Sequence, residues 1–395
     1  MANTLLTPDQ ITKESQRILH QKLKFIGSVN RQYDSSFANE GAKIGDSLRV
    51  RLPNEYTVRT GATLSTQDTT EQSTTLQVAT QKGVDLNFTS AELTTDLDSF
   101  SSRIIEPAMA VLAASMENDA ISMYKDVYNQ ESNIGSSTTL TNILNARKLL
   151  VDGLTPMDRN VAMLMNTQTN VDLVDSMKGL FNDQSELSKQ YREGLVGTGH
   201  GFKFFETTHL GNHITGTAAA TTGYLVNGAS QTGATLTVDT GTTTLVKGDI
   251  FTIAGVNRVH PETKVSTGVL QQFVVTSDSG TSATSLAISP SIVVTGGSQN
   301  VSGSPADNAA ITKVGGASAA YGVNLGFHRD AFAFATADLI LPKGCDMASR
   351  QVYDGVSLRL VRDYDISNDK LPARLDVLYG YKTIRPQLAA RVAAN

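Results

Sequence analysis

The chain has 395 residues, of which 40% are apolar and 18% charged, and carries a formal net charge of −5. That length exceeds what a single core usually organises, so one large composite domain or two to three smaller units are expected, and the weak negative charge disfavours a generally basic nucleic-acid binder. The lone Cys345 excludes an internal disulfide framework and suits a reducing cytoplasm, while the absence of a long apolar run or a basic, apolar start predicts neither membrane insertion nor export.

The first segment reads as an amphipathic helix. Thr7 is placed to cap it, Pro8 occupies the first turn, Gln10 completes a capping box, and Ile11, Ile18, Leu19, Leu23 and Ile26 recur at helical spacing. No core partner precedes it, so the stripe either packs on its own domain or waits for a neighbouring copy. On the second reading, deleting residues 1 to 30 leaves soluble monomers that fail to assemble.

From Gly45 the period changes to two. Leu48, Val50 and Leu52 alternate with polar residues, and later Val84, Leu86 and Phe88 do the same, predicting two strands. Between them Arg59 to Thr75 is polar and too poor in large apolar side chains to form its own core, so this excursion needs something else to lie on. Arg49, Arg51 and Arg59 cluster there; the readings are a solvated strand face, salt bridges to another subunit, or contact with packaged nucleic acid.

Ile105, Met109, Leu112, Met116, Ala120, Met123 and Val127 then step by three or four, predicting a long central helix with Pro107 in its first turn. A compact α/β stretch follows. It has a helix around Leu140 to Leu150 stopped by Gly153 and Pro156, a buried strand at Val161 to Met165, and another helix from Val171 to Met177. Near Ile214 the composition shifts to Thr, Ser, Gly and Val, with short alternating runs up to about Ala317, the pattern of a small all-β module inserted into the α/β domain. Three further strand candidates, in FHRDAFAFATADLILP, GVSLRLVRDYDI and ARLDVLYGYKTIRP, are expected to return to the domain begun near residue 139.

Local chemistry is sparse. His209 and His213 stand four apart, but Gly211 between them and the lack of a carboxylate at helical spacing disfavour zinc. Asp363, Asp365, Asn368 and Asp369 supply hard oxygens without the glycine and distant glutamate of a calcium loop, and read as a polar turn. The glycines at 194, 197, 199 and 201 match no phosphate cradle, and no G-x-S-x-G elbow occurs. No catalytic residue, metal or cofactor is expected.

Resemblance adds to this reading. Lys247 to Thr276, KGDIFTIAGVNRVHPETKVSTGVLQQFVVT, followed by AISPSI, looks like the insertion-domain signature of the coat-protein family of the short-tailed Salmonella phages, carried by Gly248, Asp249, Phe251, Gly255, Val256, Pro261, Thr263, Gly268, Gln272 and Phe273. GFKFFETTHL and NLGFHRDAFAFA resemble the flanking axial segments, LYGYKTIRPQLAARV the closing strand, and SRIIEPAMAVLAASMEND the spine helix. The resemblance implies an α+β Johnson fold, the tailed-phage capsid fold. Its parts would be an N-terminal arm (1–40), an extended loop (41–92), a peripheral domain with the spine helix (93–138), the first part of an axial domain (139–213), an inserted β-barrel (214–317), and residues 318–395 completing the axial domain with a closing peripheral strand.

It further implies a major capsid protein of the virion, assembled in the bacterial cytoplasm as pentamers and hexamers of an icosahedral head. Expected partners are sister copies, a scaffolding protein, a portal protein, an optional decoration protein and non-specifically packaged DNA. Ile11, Ile18, Leu19, Leu23, Arg49, Arg51 and Arg59 are the expected inter-subunit contacts. In place of the longer charged hairpin by which the family's best-known member bonds neighbouring capsomers, TTGYLVNGASQTGA is short and nearly uncharged, so another loop or a partner protein is expected to take that role. The alternatives are a cellular cargo-encapsulating shell subunit of the same fold, against which the β insertion argues, and a β-rich adhesin, which leaves the long helix unexplained.

Overall fold

The structure is a computed structural model that describes residues 8–34, 47–64, 66–67, 71–89, 105–177, 197–353 and 355–394. The chain divides into two compact units, one built from Met1–Val50, Ser73–Ile121 and Phe332–Ile384, the other from Arg51–Gln72, Ser122–Ala331 and Arg385–Asn395. No helix among the described residues is long and apolar enough to cross a membrane.

In the first unit the N-terminal helix is Pro8–Lys22; its proposed cap Thr7 lies outside the described residues. The apolar stripe has a partner within the protomer. Leu19 and Ile26 are 0% exposed, Ile18 and Leu23 are also buried, and Ile11 is half-buried. The helix packs on Glu106–Ile121 and on the strands Met347–Tyr353 and Val356–Arg362, and buried Gln16 donates to Val356 O at 2.6 Å. The premise that Ile18, Leu19 and Leu23 lack a partner in their own chain is therefore corrected: burial against the same unit satisfies them. Removing residues 1 to 30 would strip part of this core, so an unstable protomer is expected instead of an intact monomer.

Helix Glu106–Ile121 buries Met109, Leu112, Met116 and Ala120, with Pro107 in its first turn as expected. The pattern continues through Met123 and Val127, but the backbone tightens to a 3₁₀ helix at Ser122–Asp126. Glu117, on the buried side, accepts the backbone N–H groups of Phe25 and Ile26 at 3.1 Å each, which anchors the short helix Phe25–Ser28. Burial pushes the Glu117 carboxyl up to about 7, against the opposing pull of those N–H groups.

The excursion differs from a simple pair of strands. Ser47–Arg51 pairs with Ser73–Gln77, while Thr80–Thr89 runs antiparallel to Lys370–Thr383 in a six-stranded sheet. That sheet also holds Asn30–Asp34, Phe332–Ala337, Val356–Arg362 and Met347–Tyr353. Most of the late strands thus complete the first unit and do not return to the domain begun near residue 139. Period-two alternation identifies a strand, but its sheet is decided by pairing across hundreds of residues.

The second unit holds a seven-stranded sheet ordered Gln130–Ser132, Ala389–Ala394, Ala320–His328, Val161–Met165, Phe202–Glu206, Thr198–Gly199, with Asn212–Ile214 paired to Ala320–His328. Helices Leu140–Asp152 and Thr167–Met177 supply Ile143, Ala146, Leu150 and Leu173 to the cluster that includes Val161, Met163, Phe202 and Val392. Gly153 ends the first helix, as its position predicts.

Between Asn212–Ile214 and Ala320–His328 the chain forms a closed six-stranded barrel from Thr221–Val226, Gly233–Asp239, Ile250–Val259, Ser266–Val275, Ser285–Ile292 and Ala310–Lys313. Its interior is apolar: Phe251 and Phe273 stack with centroids 5.8 Å apart, surrounded by Val226, Leu236, Val256 and Ile311. Closure leaves no free strand edge. Buried Tyr224 is satisfied by donating to Thr243 O and accepting from Ala283 N.

Candidate functional site

A set of buried polar bonds lies at the foot of the barrel, where its strands meet the seven-stranded sheet. Asp249, 0% exposed, is the centre. Its Oδ1 lies 3.1 Å from His213 Nε2, and its Oδ2 accepts from Gly216 N and Val246 N at 3.0 Å each. One carboxylate therefore ties the entry into the barrel, residues 213 to 216, to the loop leading into strand Ile250–Val259. Buried Lys313, on the last barrel strand, donates to Gly216 O and Gly316 O at 3.2 and 2.9 Å, closing the exit against the entry; burial lowers its pKa.

Gly248 has φ +98°, and a Cβ there would lie 2.9 Å from His213 Cε1 and 3.2 Å from Lys125 Cβ, so both conformation and close approach require glycine. Its carbonyl accepts from Arg391 Nη2 at 2.8 Å. Arg391 comes from the closing strand Ala389–Ala394, is 0% exposed, and lies 5.9 Å from the Tyr124 ring centroid. Burial pushes its pKa down and those of Tyr124 and Tyr321 up.

A second clamp is Gln272. Its Oε1 accepts from Gln130 N at 2.8 Å and its Nε2 donates to Gln130 O at 2.9 Å, so one side-chain amide covers the backbone of the sheet's edge strand Gln130–Ser132. Arg258 to Asp152 at 2.8 Å and Lys247 to Asp126 at 3.1 Å add two ion pairs between barrel residues and the segments flanking the sheet.

Of the signature residues, Gly248, Asp249 and Gln272 belong to this foot, whereas Phe251, Val256 and Phe273 line the barrel interior. Gly255 and Gly268 take φ +80° and +73° facing open space, and Pro261 and Thr263 lie in an exposed turn where His260 Nδ1 accepts from Thr263 N. His213 pairs with a carboxylate 36 positions away, a partner that spacing does not reveal. Among the described residues no group of three or more His, Cys, Asp or Glu is placed to hold a metal. Asp365 accepts from Ser367 N and Asn368 Nδ2, the bonds of a polar turn.

Each arginine of the excursion has its own partner within the excursion. Arg49 donates to Ser73 Oγ at 2.9 Å, Arg51 pairs with Glu71 at 3.6 Å, and Arg59 donates to the Gly61 and Thr63 carbonyls. The sequence reading missed Arg391, Gln130, Tyr124 and Tyr321. A signal existed for the first: LAARVAA places one arginine in an otherwise apolar strand, and every residue of Ala389–Ala394 is buried.

Residues 206–391, slightly under half of the chain, match the family described as P22 coat protein, gene protein 5, a range that spans the whole barrel. That segment is similar to the P22 coat protein family. No curated protein matches the chain significantly. Among solved structures it is similar to the bacteriophage PhiM1 mature capsid (12% identity, TM-score 0.48, covering 94% of this chain and 87% of that one). Mycobacterium phage Che8 gives 11% identity and TM-score 0.44 over 94% and 90% of the two chains. The holo-SrpI encapsulin complex of Synechococcus elongatus gives 7% and 0.42 over 92% and 84%.

Proposed function

We propose that copies of this chain form pentamers and hexamers that close into an icosahedral head around a double-stranded DNA genome, guided in the host cytoplasm by a scaffolding protein and joined to a portal protein, with a decoration protein as an optional addition. The role is structural, not enzymatic. The observation that carries the reading is the coat-protein family match across residues 206–391. The protomer supports it with a surface that suits assembly: in the excursion, Tyr56, Val58 and Leu64 are 55%, 94% and 77% exposed. Gln67 braces that segment, its amide bonded to Thr57 N, Oγ1 and O, so the apolar side chains are presented on an ordered support.

Arg49, Arg51 and Arg59, on the same excursion, are the proposed polar contacts to a neighbouring copy. Many modest contacts repeated by symmetry stabilise a closed shell even where each is weak. The test is negative-stain microscopy of the purified protein with a scaffolding protein supplied: closed shells containing DNA are expected. A monomer that stays solitary under those conditions would refute the proposal, and particles filled with an enzyme cargo would favour a cellular encapsulating shell. Val58→Asp should block assembly while changing protomer stability by less than about 0.5 kcal/mol, as surface substitutions do.

A further inference from the structure

The foot of the barrel carries more buried positive charge than its carboxylates answer. Among the described residues of the second unit, Arg391 and Lys313 are cations at 0% and 2% exposure, and Asp249 is the fully buried carboxylate. Asp249 is occupied by His213, Gly216 N and Val246 N. Arg391 uses Nη2 on Gly248 O, while its Nε and Nη1, although buried, have no hydrogen-bond partner.

Other unpartnered groups share this place. Gln130 stands directly beside Arg391 in the parallel strand pair, and the register puts Leu325 beside Arg391, so that Tyr321, four residues earlier on the same strand, falls on the same face. The Tyr321 hydroxyl and the Gln130 side chain face each other closely enough for Gln130 to oppose the rise in the Tyr321 pKa, yet all three buried polar atoms lie outside hydrogen-bonding geometry. The residues are 2% and 3% exposed. Tyr321 is 5.5 Å from the His213 ring, which in turn is 6.1 Å from Tyr124, beneath Arg391. The guanidinium N–H groups, a hydroxyl and an amide NH₂ form a set rich in donors, with the Gln130 carbonyl oxygen as its acceptor. Buried donors left unpaired are costly, and a buried unpaired charge more so.

We propose that this cluster binds a small monovalent anion of the halide type, held by Arg391 Nε and Nη1, the Tyr321 hydroxyl and the Gln130 amide, and that the anion pins the closing strand to the barrel's foot. It would sit where the guanidinium needs a counter-charge and where a neutral guest would leave that charge uncompensated. Burial already pushes Arg391 towards the neutral form, and a bound anion would oppose that.

The test is thermal unfolding of the full-length protein at constant ionic strength as sodium gluconate is exchanged for sodium chloride or bromide. A ligand that binds only the folded state raises the midpoint with its concentration. A saturable rise in both halides is expected for the wild type. Arg391→Met should abolish it, and Tyr321→Phe should raise the half-saturating concentration roughly tenfold, the loss of one hydrogen bond to an ion. The same midpoint in gluconate and halide overturns the proposal, as does an Arg391→Met protein that keeps the saturable response. Should Arg391→Met not fold, crystals of the wild type grown in bromide decide: an anomalous peak within hydrogen-bond reach of Arg391 Nε supports the site, and water alone there overturns it.

Discussion

The interior of the barrel and its foot are stabilised in opposite ways. Inside, Phe251 and Phe273 stack among aliphatic residues, and attraction is non-directional, so shape and volume decide stability. At the foot, Asp249, Gln272 and Arg391 each satisfy named backbone groups, so the identity of every atom decides it. An apolar core tolerates substitutes of similar size, whereas a buried polar junction tolerates almost none.

The largest expected effect breaks the apolar side. Phe273→Ala should cost up to about 5 kcal/mol in urea unfolding of the full chain, through lost burial and the cavity left beside Phe251. Phe273→Leu, which retains much of the volume, should cost less than about half of that. Equal losses for the two would mean that filling space is not what the interior does.

The foot should behave differently. Asp249→Ala is expected to cost about 4 kcal/mol, because it leaves Gly216 N, Val246 N and His213 without their acceptor in a dry site. Asp249→Asn has nearly the same shape and can still accept the two N–H bonds, yet it removes the carboxylate that faces Lys313 and Arg391. It should therefore recover less than half the loss. An Asn variant as stable as the wild type would show that the charge at the foot is dispensable.

Glu117 extends the contrast to the first unit, where a buried carboxylate anchors a helix turn by accepting backbone N–H groups. Its folded pKa, raised by burial from 4.5 to about 7, means that the native state binds the proton more tightly than the unfolded chain. The stability this contributes is complete below pH 4.5 and is lost as pH rises through about 7, a change of roughly 3 kcal/mol. Glu117→Gln removes the titrating group, so stability between pH 5 and 7.5 should flatten. An unchanged slope would assign the pH dependence elsewhere.

What the sequence disclosed follows the same division. The alternation of TLTVDT, DIFTIAGV and QQFVVTS exposes a barrel because the side chains that fill it repeat every second residue, and the stripes of Pro8–Lys22 and Glu106–Ile121 are legible for the equivalent helical reason. The foot was mostly illegible. Gln130 and Gln272 stand 142 positions apart, Gly248 and Arg391 143 apart, and a glutamine in a strand looks the same whether it faces water or clamps a distant backbone. The error about the N-terminal helix has a related cause. Its stripe announced that it would be buried, but its partners on Met347–Tyr353 and Val356–Arg362 come more than 300 positions later, and a stripe does not say whether its cover is the same chain or another.

The smallest expected effect isolates the junction from both cores. Gln272→Ala leaves the barrel interior untouched, since Phe273 and Val275 still point inward, but it uncovers Gln130 N and O on the edge strand. The global cost should be only about 1–2 kcal/mol, the worth of one buried bonded group left to find water. Local opening should exceed this modest average, because regions with few compensating contacts open independently of the whole. Hydrogen exchange is the discriminating measurement: the Gln130 amide should lose protection while the barrel amides of Phe251 and Val274 keep theirs. If protection falls equally at all three positions, the clamp is part of the barrel's own cooperative unit, and the separation between interior and foot disappears.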